Sequence, residues 1–562
     1  MSIALSSKRG APNTATNRAV RNLARPDEWA IDMGLRVDGH NFTLEKGEYV
    51  RQVIRDYSPE IVIPKAAQMR FTVTMLVRAL HAVSVRGWNV LYLLPLKTGA
   101  VPFVQGRIDP IIESNPSLAQ EFKAVDNRLH KQSLKKFNLY IRGTNIKNEL
   151  QEVPVDFQVW DERDRMVEEN LGDARHRMDG SHIKKLIMLS TPTVEGHGIY
   201  SDDAWDISDQ HRWEIPCPGC NRLQSLNWND KALDYNNLKV GSDRSDCVLE
   251  CPWCQHVFSD EERPFLNALG RWTPYNPDGE VRGYHINQFN SPTQTLSEIM
   301  RDYFKGLREV KYMRAFWNQS MGLPYTAVGD RFTVELLDKC RERYEVGGIP
   351  SSYLQIGIDV GTHIHAWCWT RFNNIRRLWN VKLFQNFDQL DRWLSSLPQW
   401  VGVIDAHPEK SKSRELALKY HGRLYMGFEQ DRDQQGEIAH FGSVKYQEAP
   451  EVKIDRTLAF DTVIGEFLNG RARLPYSARE LGEHLPRKDY NGVYHHMIQQ
   501  ARVEEENARG IIIARWKRNR NPDHWHHACM FATIAGYTTP PLQIPGGFSS
   551  AMNKNVISGA GS

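Results

Sequence analysis

The chain has 562 residues and a formal net charge of +3, too long for one ordinary hydrophobic core and too close to neutral for a uniformly basic nucleic-acid coat. Its 16 Trp and 20 Tyr argue against extended disorder. No run nears the roughly 18 consecutive apolar residues that span a bilayer, and the first residues lack an apolar stretch of the secretory kind, so neither a membrane span nor an export signal is expected.

Residues 1–27 read as a flexible basic tail. Lys8, Arg9, Arg18, Arg21 and Arg25 precede the first acidic residue, Asp27, and are either a local nucleic-acid contact or a solvated, frayed end. From about Phe42 to Pro192 short apolar strands alternate with helical stretches, with no internal repeat. Glu60-Ile-Val-Ile-Pro64 reads as a strand. Thr72 to Ser84 reads as a helix with Val73, Leu76, Val77 and Leu80 on one face. Val90 to Leu94 is a buried strand, and two more end at Trp160 and run from Leu186 to Leu189. The alternation predicts an α/β domain over residues 28–204, with a mainly parallel sheet and ligands at the carboxyl ends of its strands.

Those strand ends carry the first chemistry. A phosphate loop needs backbone N–H groups at a helix N-terminus, a Lys for phosphate and a hydroxyl for Mg²⁺. Lys65-Ala-Ala-Gln-Met-Arg-Phe-Thr72 puts Thr72 where the hydroxyl belongs, but Arg70 and Phe71 stand where Gly-Lys is usual, so an ordinary strand–loop–helix turn is the competing reading. Val155-Asp-Phe-Gln-Val-Trp-Asp161-Glu162 is an apolar strand ending in adjacent carboxylates, one able to hold hydrated Mg²⁺ and the next to orient water. Ser190-Thr191-Pro192-Thr193 places hydroxyls at a further strand end, where a γ-phosphate could be sensed.

Residues 205–275 break the rhythm and predict a zinc-ribbon-like insertion. Cys217-Pro-Gly-Cys220 and Cys251-Pro-Trp-Cys254 are two knuckles that together offer four thiolates to a tetrahedral Zn²⁺, with Cys247 and His256 near enough in sequence to substitute. Buried free cysteines are the alternative. Residues 276–350 read as a helical segment, Leu296 to Gln319, followed by a linker at Gly347 to Ser352.

A second sheet is expected over residues 351–539. Leu354 to Val360, His365 to Arg371 and Leu378 to Leu383 suggest an antiparallel meander, and Val401 to Ile404 a later strand joined through a helix. Asp359 on the first strand and Asp405 after the later one suit a nuclease of the RNase H type, whose two metal ions (Mg²⁺ or Mn²⁺) bridge the scissile phosphate. A third ligand should come from the helix opened by Asn521-Pro-Asp-His-Trp-His-His527. It is either Asp523, which could instead be a helix N-cap, or His527, an acceptable Mn²⁺ ligand. The apolar run Gly510 to Ala514, followed by Arg515, Lys517, Arg518 and Arg520, is either a phosphate contact or a solvated hairpin. Residues 540–562, rich in Pro, Gly and Ser, read as a disordered tail.

Taken together, these motifs resemble the large terminase subunits of tailed bacteriophages, the lambda-like group in particular, over about residues 28 to 535. That group has a deviant phosphate loop with its Lys at the start, as Lys65 is, an Asp-Glu strand end and a Ser-Thr-Pro coupling motif. Phe316-Trp-Asn-Gln-Ser-Met-Gly-Leu-Pro-Tyr325 is similar to its Asn…Leu-Gly-x-Pro-Tyr signature, with Met321 in place of Leu. Two departures stand out: Arg70 where Gly is frequent, and His527 where the Asp-His-x-x-Asp-Ala pattern has its second Asp.

The resemblance implies a P-loop (RecA/ASCE-like) ATPase sheet, the ribbon, and an RNase H-like nuclease domain. It implies that Lys65 neutralises phosphate, that Thr72 and Asp161 hold Mg²⁺, that Glu162 acts on water and that Thr191 couples hydrolysis to motion. Gln68 and Arg70 would line the loop, Arg70 alternatively serving as an arginine finger. Expected partners are ATP, double-stranded DNA, a portal protein and a small terminase subunit, with a ring forming on the portal, a monomer possible in solution, and the host cytoplasm as location. Against this stand a helicase-like translocase without nuclease activity, which the three ordered acids disfavour, and an RNase H-type recombinase, which the three nucleotide signals disfavour.

Overall fold

The computed structural model describes residues 22–125, 127–151, 153–327, 329–373, 375–430, 437–445, 447–482, 492–506, 512–518 and 521–538. Most of the expected basic tail, Arg509 to Ile511, Arg520 and the tail 540–562 lie outside the described residues. The chain forms two compact units, Met1–Val328 with Glu505–Ile512 and Gly329–Glu504 with Ile513–Ser562.

In the first unit eleven strands make one sheet: β1 (Glu60–Pro64), β2 (Val90–Leu94), β3 (Phe122–Val125), β4 (Asn127–Ser133), β5 (Asn138–Gly143), β6 (Phe157–Asp161), β7 (Lys185–Ser190), β8 (His211–Pro216), β9 (Leu223–Gln224), β10 (Arg271–Thr273) and β11 (Arg282–His285). Their order is β9-β8-β11-β1-β7-β6-β2-β5-β4-β3, with β10 on β8. The run β11-β1-β7-β6-β2-β5 is parallel. Its central strands are continuous apolar runs because both faces are covered: Ile61 and Ile63 join one core while Val62 joins another. The helix α1 (Phe71–His81) follows β1.

The sheet continues past residue 204, because β8 pairs in parallel with β11, and β11 with β1. The first cysteine knuckle is therefore a hairpin tip grown from an edge of this sheet, and the second lies on a separate bridge, Glu250 to Val257.

The second unit holds a nine-stranded sheet: β12 (Arg341–Glu342), β13 (Leu354–Val360), β14 (Ile364–Phe372), β15 (Ile375–Phe384), β16 (Trp400–Asp405), β17 (Leu424–Gln430), β18 (Ala439–Phe441), β19 (Glu451–Asp455) and β20 (Ala472–Pro475), in the order β12-β20-β15-β14-β13-β16-β17-β19-β18. The meander β13-β14-β15 is antiparallel, and β16 returns parallel to β13 after the helix Phe387–Ser396. The unit already begins at Gly329, ahead of the Gly347 to Ser352 stretch, since β12 pairs with β20.

Helices α2 (Arg456–Leu468) and α3 (His524–Ala535) share one core with Trp367 and Val403, while Ile356 and Ile358 face the other. Gly357 lets α3 lie close on the sheet: a Cβ there would sit 2.0 Å from the Ala528 carbonyl oxygen and 2.1 Å from the Ala532 nitrogen.

Candidate functional site

Three strand ends meet in the first unit because β7 lies between β1 and β6. Lys65 leaves β1 with its N–H on the Ser190 carbonyl at 3.0 Å, and its side chain is buried. The loop keeps a glycine-like backbone without glycine: Gln68 and Arg70 both lie in the left-handed region, at φ +62 and +63. Such strain persists where surrounding structure enforces it. Here the Arg70 guanidinium donates to the Glu45 carbonyl at 3.0 Å, while Gln68 is exposed.

Across the loop, Asp161 is buried at the end of β6. Tyr92 donates to its Oδ2 at 2.6 Å, and the Thr72 hydroxyl lies nearby. Its Oδ1 is buried with no hydrogen-bond partner. Burial pushes the Asp161 carboxyl up, against the pull of Lys65 and with the repulsion of Glu162. A buried, unpartnered carboxylate oxygen beside Thr72 fits a divalent cation. Glu162 follows in the left-handed region, φ +66, with its side chain partly exposed.

Asp164, two residues on, escaped the sequence reading. Its Oδ2 accepts from the Thr193 N–H at 2.8 Å and the Thr193 hydroxyl at 2.9 Å, and its Oδ1 from the Ile199 N–H at 2.9 Å. Its own N–H donates to the Ser190 hydroxyl at 3.1 Å. The segment bearing Glu162 is thus clasped to the Ser190–Thr193 segment.

The Asn-Gln-Ser-Met-Gly-Leu-Pro-Tyr run closes this circuit. The Ala67 N–H donates to the Gln319 carbonyl at 2.7 Å, and the Tyr325 N–H to the Thr193 carbonyl at 2.9 Å. Gly322, at φ +64, presses on the loop: a Cβ there would lie 2.7 Å from the Ala66 nitrogen.

The four knuckle cysteines converge. Sγ–Sγ distances are 3.5 Å for Cys217–Cys254 and 3.8 Å for Cys220–Cys251, far beyond a disulfide and near the ~3.8 Å edge of a tetrahedron with ~2.3 Å metal–sulfur bonds. Cys217–Cys220 turns between β8 and β9, and Cys251–Cys254 between the bridged residues Glu250 and Val257. The thiols share protons unequally. Burial drives Cys217 up to about 12. Cys251, against its own burial, is drawn down to about 6 by the Gln224 amide and the knuckle N–H groups. Cys247 and His256 are turned to other partners, the Asp243 carbonyl and Glu262.

In the second unit one face of the sheet carries a polar row. Asp359 is paired with His365 on β14 and lies one step past the Ile358–Ile404 pair, which sets it beside Asp405. Gly427 pairs with Asp405, and Glu429 follows on the same face. Burial, only partly offset by the His407 N–H and reinforced by the Asp359 and Glu429 carboxylates, pushes Asp405 up to about 7. Crowded carboxylates of this kind suit cations.

Helix α3 brings three more groups to the row. His524 Nδ1 lies 2.8 Å from Asp359 Oδ2, and His527 Nδ1 lies 2.8 Å from Glu429 Oε1, with its Nε2 3.3 Å from Asp523 Oδ2. Against the effect of burial, those two carboxylates hold the His527 imidazole well above its usual range. With Nδ1 on Glu429 and Nε2 2.9 Å from the Gln500 amide as well as 3.3 Å from Asp523, neither ring nitrogen of His527 stands free. Asp523 makes no side-chain cap and instead accepts from Gln500 at 2.7 Å. Arg518 reaches within 3.7 Å of its Oδ1.

The structure therefore brings together Lys65, Thr72 and Asp161, with Glu162 and Thr191 flanking them. It also gathers the four cysteines, and Asp359, Asp405, Asp523 and His527. Gln68 and Arg70 stay in the loop backbone, with the Arg70 side chain directed at the Glu45 carbonyl. The sequence reading missed Tyr92, Asp164, His365 and Glu429. Only Glu429 carried the signal used for Asp405, a carboxylate ending an apolar strand.

Residues 48–272 match the family model of the phage terminase large subunit gpA, ATPase domain, and residues 281–383 match that of the terminase large subunit gpA, endonuclease domain. The chain is 26% identical over 389 residues to the terminase large subunit of Escherichia phage lambda, covering 62% of this chain and 59% of that protein. It is 27% identical over 350 residues to the terminase large subunit of Enterobacteria phage P21, covering 54% of this chain and 53% of that one. The matched stretch thus spans little more than half the length of either relative. The crystal structure of the HK97 bacteriophage large terminase superposes with a TM-score of 0.48 at 12% identity, covering 92% of this chain and 99% of that one.

Proposed function

From the premise that this chain belongs to the gpA family of phage terminase large subunits, we propose that it is an ATP-driven DNA packaging motor joined to a metal-dependent endonuclease that cuts concatemeric phage DNA. The observation that carries the motor half is the convergence of Lys65, Thr72 and Asp161, with Asp161 Oδ1 buried and unpartnered.

In the motor, Lys65 and the N–H groups entering α1 hold the phosphates of ATP. Thr72 and Asp161 hold Mg²⁺, which when bound neutralises charge on the phosphates. Glu162 orients a water and takes its proton. Thr191, in the segment that Asp164 clasps, relays the state of the nucleotide.

In the nuclease, Asp359 and Asp405, with Asp523, hold Mg²⁺ or Mn²⁺, whose chemistry is to activate water and stabilise the leaving oxygen. Glu429 holds His527, and His527 in turn positions Asp523. Zn²⁺ on Cys217, Cys220, Cys251 and Cys254 would fasten the ribbon. The partners of this reading are double-stranded DNA, a portal protein on which a ring assembles, and a small terminase subunit, in the host cytoplasm. No described helix is long and apolar enough to cross a membrane.

The test pairs two variants of the full chain. Glu162→Ala should lower DNA-stimulated ATP hydrolysis by about 100-fold or more while nucleotide still binds, and Asp359→Ala should abolish cutting of plasmid DNA in Mn²⁺. Unchanged hydrolysis in the first or unchanged cutting in the second removes the corresponding half of the reading.

A further inference from the structure

One ring on the acidic face of the second sheet is not used by this scheme. His365 lies directly across from Asp359 on the neighbouring strand, so its side chain shares the face of the carboxylate row. It is buried, and its Nδ1 has no hydrogen-bond partner. The His524 ring stacks on it at 4.7 Å with planes 16° apart, and Trp525 closes edge-on at 4.6 Å. One ligand atom each from Asp359, His365 and His524 falls within 4.8 Å of the others.

A histidine that only fills a core would have its nitrogens satisfied or face apolar neighbours. Here an unpartnered ring nitrogen is buried in a group whose third member is the carboxylate on which the nuclease reading rests. We propose that Asp359, His365 and His524 form a mixed nitrogen and oxygen site, so that one nuclease ion is held by two imidazoles and a carboxylate. The inference rests on the nuclease reading and deepens it by assigning the class of ion.

Imidazole is a borderline ligand that suits first-row transition ions, whereas Mg²⁺ keeps to oxygen and water. The site therefore takes Mn²⁺ or a later divalent ion in preference to Mg²⁺. The carboxylates Asp405 and Asp523 remain for a second ion of the all-oxygen kind. Rigidity favours the assignment: His365 is locked by the strand pair beneath it and by Trp525, and His524 by its place in the first turn of α3.

The test uses the full chain loaded with Mn²⁺ and read by pulsed electron paramagnetic resonance, in which directly bound ¹⁴N modulates the echo. Wild type should show ¹⁴N modulation on bound Mn²⁺ and bind Mn²⁺ at least tenfold tighter than Mg²⁺ by competition. His365→Ala and, independently, the more exposed His524→Ala should each weaken the modulation and shrink that preference while the chain still melts cooperatively. Mn²⁺ bound without ¹⁴N modulation, in a protein that cuts DNA, overturns the mixed site and leaves the nuclease reading standing. Modulation that survives both substitutions likewise overturns the assignment. A wild-type chain that binds neither ion and cuts no DNA overturns the nuclease reading itself.

Discussion

Asp161 and Asp164 sit on one short segment and illustrate two uses of a buried carboxylate. Asp161 keeps one oxygen unpartnered, whereas Asp164 has both oxygens occupied by N–H and O–H donors of residues 193 and 199. The first is suited to a cation and the second to holding backbone in place. Between them Glu162 is held at φ +66, a conformation that a free loop would relax. Replacing Asp164 by Asn turns one acceptor into a donor facing another donor, which releases the clasp while conserving shape. Steady-state kinetics of Asp164→Asn should therefore show kcat for DNA-stimulated ATP hydrolysis reduced by roughly 10- to 100-fold, with KM for ATP nearly unchanged because the Lys65 loop is untouched. A raised KM with normal kcat would place Asp164 in nucleotide binding and refute the clasp. None of this could be read at residue 164 in the sequence, where an Asp between two arginines looks like a solvated turn.

Elements explain why the knuckles come together. β8 and β9 are short antiparallel neighbours whose tip is Cys217–Cys220, and the second tip is carried by the bridge Glu250–Val257, itself stitched to the rest by Asn237 and Glu250. Behind the tips Cys217, Cys251, Leu249 and Phe258 join the core, while Cys220, Cys254, Trp253 and Val257 are exposed. On the proposed zinc reading, the exposed tips depend on a metal cross-link for their local order. Removal of the ion by a strong chelator at neutral pH should release one zinc per chain and raise the protease sensitivity of residues 217–257. The parallel core around β1, β6 and β7 should stay protected. Chelation that leaves the proteolytic pattern unchanged, in protein shown to have held zinc, would demote the ion to an accessory. The C-x-x-C spacing alone announced this element. Its continuity with the first sheet was not legible, because the β8–β11 pairing joins residues 211–212 to 284–285 across the whole insertion.

At the scale of the molecule, each unit has its own cores, and the first carries an acid sensitivity of its own. Burial lowers His81 to about 4, and burial with the nearby Arg212 guanidinium lowers His285 to about 4, from an ordinary 6.5. Both rings are neutral in the folded chain. As pH falls through 6.5 the unfolded chain takes up protons that the folded one refuses until near pH 4, so stability is full above 6.5 and lost between 6.5 and 4. Each ring contributes roughly 3 kcal/mol at full shift. Thermal melts at pH 7, 5.5 and 4.5 should show the first unit's transition falling, and His81→Gln should flatten that fall. A flat profile in wild type would contradict it.

By itself the sequence determined the strands Glu60–Pro64, Val90–Leu94 and Leu354–Val360, the order of the acids along the chain, and the two cysteine pairs. These are local properties: an apolar run, a charge at its end, a spacing of three. Only the tertiary structure decided that the signature run at 319–325 braces the Lys65–Thr72 loop, that Glu429 joins the carboxylate row of the second unit and that His365 stands against Asp359. The physical reason is common to all three. Each depends on contacts between segments far apart in the chain, and for Asp359 and His365 a one-residue shift of strand register would turn a side chain to the opposite face. The candidate motor and nuclease sites rest on the order of carboxylates that the sequence shows. What holds those carboxylates in place was decided by the packing.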